Sequence, residues 1–428
     1  MPLTKEWLHR IQRWESVLWE TCYRPLGELT LSGFTTFDHL TADQASHADF
    51  SPMPPGTSWG AKWEYGWFKT RLVVPPDAVG HRLVFTAVPA MQDPHPGECL
   101  CWANGKEAGS FGWARQFITL STHALPGTEY HLLMEAYAGH GKLVVDGGPL
   151  PFGAERVVDP PSTQCLVGDS SFGIWREDIY QLAVDFSTLL DLYKGLDPLS
   201  LRVAEIAQGL MQATLIVDPE LPDLEYQKSA QIARQQLQPL LACTNGSTAP
   251  TLFAFGHAHI DVAWLWPLAE TERKIARTIA NQLALIDEYP EYIFLQSQPH
   301  LYQMLRNKYP DLYTRFKEAV SAGQIIADGA MWVEADTNLT SGESLIRQIL
   351  AGKHFFQGEF GTDSKILWLP DVFGYSGSLP QILRGCGCTG FATQKITWAY
   401  HGGEAFPYNT FLWEGIDGTS IPAHIFTD

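Results

Sequence analysis

One stretch constrains the fold more than any other: the apolar run Thr251-Leu-Phe-Ala-Phe255 leading into Gly256-His257-Ala258-His259-Ile260-Asp261. It predicts a buried strand over 251–257 that opens into ligand-type side chains. Alternate residues of a strand face the same way, so His257, His259 and Asp261 are expected on one side. In α/β barrels the reacting groups stand at the C-terminal ends of such strands. Two imidazoles and a carboxylate at this spacing suit zinc or a similar divalent ion. A hydrogen-bonded polar strand end without metal is the plainer alternative, and this stretch alone leaves it open.

The rest of the C-terminal portion supports the α/β reading. Strands are expected at 251–257, 292–297, 324–329, 365–370, 390–394 and 420–426. Helices are expected at 267–288, 299–322, 343–359 and 378–385. Repeated βα units point to a parallel sheet flanked by helices, closed or open. Ahead of them the texture differs. Residues 4–22 place Trp7, Ile11, Trp14, Leu18 and Cys22 on one helical face. Residues 26–185 carry short runs such as Trp67-Phe-Lys-Thr-Arg-Leu-Val-Val74, Leu83–Val88 and His131–Tyr137, divided by turn residues. That spacing predicts an antiparallel β-sandwich, with Asn104-Gly105 as a hairpin turn. Residues 187–242 read as a helical connector, and 243–250 as a polar linker. The expected domains are therefore an N-terminal helix (1–25), a sandwich (26–186), a connector with linker (187–249) and a catalytic region (250–428).

Trp59, Trp63, Trp67, Trp102 and Trp113 enrich the sandwich. Indoles can stack on sugar rings, but in a sandwich they more often pack the core or a domain contact. The 47 acidic residues against 29 basic ones leave a net charge of −18. No cationic excess exists to neutralise phosphates, so a nucleic-acid partner is not expected. A neutral ligand such as a sugar is compatible. The seven cysteines include two CxC pairs, Cys99/Cys101 and Cys386/Cys388, more often small strand and turn residues than metal ligands. The N-terminus shows no apolar signal-peptide region, and no run reaches the roughly eighteen apolar residues of a membrane span. These features predict a reduced, cytoplasmic protein without a membrane partner. Homo-oligomerisation stays open.

Asp371 closes a further expected strand within Trp368-Leu-Pro-Asp-Val-Phe-Gly-Tyr-Ser376. An isolated Asp there is usually a turn former or helix cap. Placed at the same barrel mouth as the His257–Asp261 cluster, it becomes a candidate catalytic group. Together, Gly256-His-Ala-His-Ile-Asp-Val-Ala-Trp-Leu-Trp-Pro267, Trp332-Val-Glu-Ala-Asp336, Trp368–Ser376 and Thr393-Gln-Lys395 resemble the family 38 glycoside hydrolases, the class II α-mannosidases, and most closely their cytosolic or bacterial branch. The resemblance covers about residues 250–428 and extends less sharply over the sandwich.

What the resemblance implies is specific. The fold class is multidomain β plus α/β: a β-sandwich, a helical connector, then a (β/α)7-type barrel cut short at the C-terminus. His259, Asp261 and Asp371 would bind one divalent metal, zinc or in some members cobalt, and Asp371 would also be the nucleophile. His257 would orient the ligands by hydrogen bonding. Trp264 and Phe373 would line the glycone pocket, with Lys395 as a basic neighbour. The partner would be a mannose-containing oligosaccharide or glycoside. A retaining glycosidase also needs a second carboxyl group roughly 5–5.5 Å from the nucleophile. In this family that acid/base and a fourth ligand, a histidine, lie beyond residue 428; neither His424 nor Asp428 matches them. The chain is thus expected to be the N-terminal part of a longer enzyme. Two alternatives stand beside this one: an amidohydrolase-type hydrolase using both His257 and His259 as ligands, and a sugar-binding fragment without chemistry.

Overall fold

The computed structural model describes residues 3–92, 97–112, 115–141, 161–244, 246–397 and 407–426. Trp113 and Asp428 lie outside them. The sandwich consists of two antiparallel sheets. One pairs Tyr23–Glu28, Ser171–Trp175, Arg82–Thr86 and Ile118–Ser121; the other contains Ser32–Thr36, Tyr65–Val73, Glu129–Tyr137, Cys99–Ala103 and Lys106–Phe111. The hairpin at Asn104-Gly105 forms as expected. Both residues take positive φ, +50° and +81°, which is why Asn-Gly suits this two-residue turn.

Strand alternation decides how the larger sheet packs. Phe68, Leu72, Cys99 and Cys101 point into the sandwich core. Trp67, Leu100 and Trp102 point the other way, into a core shared with the helix Leu268–Glu288. That helix repeats apolar residues at Ile275, Ile279, Leu283 and Ile286, one face of a 3.6-residue period. The Trp67 and Trp102 rings stack at 5.6 Å and are almost fully buried. Of the sandwich tryptophans described, only Trp63 is exposed among these domain positions, so packing is their main task.

The helix Lys5–Thr21 forms as its amphipathic face predicts, with Thr4 capping it. Its Ile11 and Leu18 pack with the helices Glu177–Gly195, Leu201–Ile216 and Asp223–Leu241 in a single core. First helix and connector are therefore one bundle.

From residue 256 onward strands and helices alternate. Gly256–His257, Phe294–Gln296 and Ile325–Ala327 pair in parallel, as do Ile366–Leu369, Gly390–Thr393 and Ser420–Ile425. Trp368 N donates to Gly329 O at 3.3 Å, joining the two groups edge to edge. Three expectations need correction. The strand expected over 251–257 shrinks to Gly256–His257, and Leu252 and Phe253 are exposed. Among the described residues its only strand partner is Phe294–Gln296, so nothing holds residues 251–255 in a ladder. The helix expected over 299–322 is two helices, Pro299–Lys308 and Pro310–Ser321. Pro310 lacks an N–H and fits a first turn, so it starts a new helix. An unforeseen strand, Thr410–Glu414, runs antiparallel to Ser420–Ile425. No described helix is long and apolar enough to cross a membrane.

Candidate metal and sugar site

The strand ends bring His259, Asp261 and Asp371 together: one ligand atom from each lies within 4.8 Å of the others. His259 Nε2 is 3.4 Å from Asp261 Oδ1 and 3.4 Å from Asp371 Oδ2. Asp371 follows the strand Ile366–Leu369, so two chain segments meet here. Among the described residues this is the one group of three or more His, Cys, Asp or Glu side chains close enough to hold a metal. The CxC pairs are not part of it: Cys99, Cys101 and Cys388 are buried thiols.

His257 stands apart from the cluster, contrary to simple alternation. The strand ends at His257, so two-residue alternation does not extend to His259 and Asp261. Both His257 nitrogens are engaged: Nε2 accepts from Trp368 Nε1 at 3.1 Å, and Nδ1–H donates to Leu295 O at 3.0 Å. Burial lowers its pKa, so the neutral ring these bonds require is also the favoured one.

His259 behaves oppositely. Burial disfavours its charge, but hydrogen bonds with Asp261 and Glu334, then the charges of Glu334 and Asp371, overrule it and push the pKa up to about 10. On the Nε2 side, one imidazole nitrogen and oxygens from two carboxylates converge, a donor set that fits a divalent metal of the zinc type.

Lys395 and Phe373 stand beside this group, whereas Trp264 connects to it only through Trp266 and Thr271. Lys395 Nζ is 2.6 Å from Asp371 Oδ1 and 5.1 Å from the centre of the Phe373 ring. Trp264 and Phe373 are more than half exposed. Trp264 meets Trp266 edge-on at 5.7 Å, and Trp266 Nε1 donates to Thr271 Oγ1, which donates to Asp261 O. Three polar residues escaped the sequence reading: Glu334, Ser297 and Gln298. Glu334 lies inside the motif Trp332–Asp336, which is the only signal that could have singled it out. Gln298 Nε2 donates to Ile260 O at 2.9 Å, and its Oε1 accepts from Glu334 N at 3.1 Å.

Similarities to known proteins follow the same division of the chain. Residues 249–428 match the glycosyl hydrolases family 38 N-terminal domain, and residues 28–152 match an alpha-mannosidase jelly roll domain. Alpha-mannosidase 2C1 of Homo sapiens is 32% identical over 442 residues, covering 99% of this chain and 40% of that protein. Alpha-mannosidase G of Dictyostelium discoideum is 33% identical, covering 90% of this chain and 34% of that protein. Alpha-mannosidase of Saccharomyces cerevisiae is 29% identical, with 90% and 35% covered. The chain thus spans well under half the length of these relatives. It resembles these proteins throughout, with a match to a family 38 N-terminal domain behind a match to an alpha-mannosidase jelly roll.

Proposed function

We propose that this chain supplies the metal-binding and nucleophilic part of a retaining α-mannosidase acting on terminal α-mannosides of oligosaccharides or glycosides. The observation that carries the proposal is the convergence of His259, Asp261 and Asp371. The strands from 256 to 425 would belong to a (β/α)7-type barrel whose mouth holds this group.

Asp371 is the residue assigned to attack the anomeric carbon. Its carboxylate forms a bond to that carbon as the glycosidic oxygen leaves, giving a glycosyl ester that water then hydrolyses. Lys395 aims the carboxylate by its ion pair with Oδ1. Trp264 and Phe373 offer rings against which the apolar face of the sugar can pack. His259, Asp261 and Asp371 would hold one divalent ion, zinc or cobalt, which when bound supplies a template for the sugar 2- and 3-hydroxyls and electrostatic stabilisation of the developing charge. His257, with both nitrogens engaged by Trp368 and Leu295, is assigned to orientation; this disfavours an amidohydrolase site, which needs both histidines as ligands. A cytoplasmic setting accords with the seven free thiols.

The test is a slow fluorinated α-mannosyl fluoride incubated with the metal-supplemented chain. Fluoride leaves without needing a proton, so the attack step is read independently of any acid. Peptide mass mapping should place the adduct at Asp371, within Trp368–Ser376. An adduct on another carboxylate, or no adduct, refutes the assignment.

A further inference from the structure

We infer that Glu334 is the positioning residue that fixes the His259 ring for metal binding, and that Ser297 in turn fixes Glu334. The inference rests on the metal-dependent reading above and names the residues that make His259 a good ligand.

Glu334 is assigned this part by its place in the fold. Its side chain is only 2% exposed, and it arrives on the loop after the strand Ile325–Ala327. Oε2 lies 2.5 Å from His259 Nδ1, and Oε1 accepts from Ser297 Oγ at 2.5 Å. Both carboxylate oxygens are thus engaged by protein hydrogens. The carboxylate sits at Nδ1, whereas Asp261 and Asp371 sit at Nε2. A ring held at Nδ1 by a buried anion presents Nε2 alone to the cluster. Such a partner fixes tautomer and orientation, and it makes the imidazole a stronger donor.

The support behind Glu334 is equally specific. Gln298 takes φ +63°, a left-handed conformation uncommon outside glycine. Its amide bridges Ile260 O on the first loop and Glu334 N on the third. The helix Gly342–Phe360 then presses on the third loop from outside. An added Cβ at Gly352 would collide with Ala330 O and lie 2.6 Å from Met331 C and 2.8 Å from Trp332 N. A ligand-orienting group needs this kind of rigid backing to hold its geometry.

The experiment is Co2+ binding by the purified chain, measured by chelator competition and by the visible absorption of the bound ion. Wild type is compared with E334L, E334Q and S297A. E334L removes the acceptor and should weaken binding about 10–100-fold. E334Q keeps an amide oxygen that can accept from Nδ1–H but lacks the charge, so its loss should be smaller. S297A should weaken binding by a few fold at most. With Zn2+ in place of Co2+, selective 15N labelling of histidine should show the His259 Nδ1–H proton far downfield in wild type, as a charge-assisted hydrogen bond requires, and displaced upfield in E334L, a change that mere loosening of the fold would not produce. Co2+ binding by wild type, with E334L and E334Q both binding as tightly, overturns the inference alone. Failure of wild type to take up Co2+ overturns the inference and the metal reading together.

Discussion

Replacing Glu270 by alanine tests how the sandwich and the α/β region are joined. Glu270 is completely buried on the helix Leu268–Glu288, where it pairs with Arg277 and accepts from Tyr65 Oη at 3.0 Å. Arg277 is itself only 4% exposed. Removing one member of such a pair strands the other charge, which typically costs about 3–5 kcal/mol. Here the low end applies, because Arg277 keeps Glu98 at 2.8 Å, and Glu98 is half exposed. Losing the Tyr65 acceptor adds about 1 kcal/mol. The expected loss for E270A is therefore about 4 kcal/mol. The double variant E270L/R277M, apolar at both positions, should recover most of it, since buried ion pairs are often replaced at little cost by well-packed apolar groups. The assay is urea unfolding followed by tryptophan fluorescence, to which the buried Trp67 and Trp102 of this contact contribute. An unchanged midpoint for E270A, or a double variant less stable than the single one, refutes the reasoning.

Other expectations follow from the same geometry. Desolvation by the surrounding atoms raises the pKa of the half-exposed Glu98, but Arg277 and Lys274 overrule it and hold the pKa down to about 2. Its folded pKa is below its unfolded one, so its contribution is present above about pH 4.5 and lost as pH falls toward 2. Acid unfolding should therefore lower stability less in E98Q than in wild type over that window, read by melting temperature at pH 7 and pH 3. Gly352→Ala should destabilise by about 1–3 kcal/mol or more, because the new methyl meets backbone that no rotamer change can move, and Co2+ binding should weaken with it. His259→Ala should lose far more Co2+ affinity than His257→Ala, measured by competition; equal losses would favour two histidine ligands. Lys395→Met removes a cation 2.6 Å from Asp371, so Co2+ should bind several-fold tighter; weaker binding would mean that Lys395 serves chiefly to position the carboxylate.

Much of this arrangement is legible in the residues, because strong local signals agree with the packing. The Asn104-Gly105 turn, the amphipathic helix Lys5–Thr21 and the βα alternation after 256 all form as their patterns predict. His259, Asp261 and Asp371 are brought together as expected, since each stands at or just past a strand end. The misses have physical causes. An apolar run says nothing of whether a neighbouring strand exists to pair with it, so the strand expected over 251–257 forms only at Gly256–His257. The helical pattern over 299–322 runs across Pro310, the residue that divides the two helices. Glu334, Ser297 and Gln298 belong to three loops far apart in sequence order, and their hydrogen bonds exist only once the loops meet.

The strand Cys99–Ala103 has a further consequence. It gives alternate residues to two different interiors, the cysteines to one and Leu100 with Trp102 to the other. The sheet it belongs to is thus a party wall with no spare side. A sandwich of this kind is not an accessory that can be cut off and carried to another protein: lifting it away would bare the flank of the helix that begins seven residues after Asp261. Slipping this strand by one position would exchange its tenants, sending indole into the space built for a thiol. Its register therefore answers to the helix Leu268–Glu288 as much as to the sandwich.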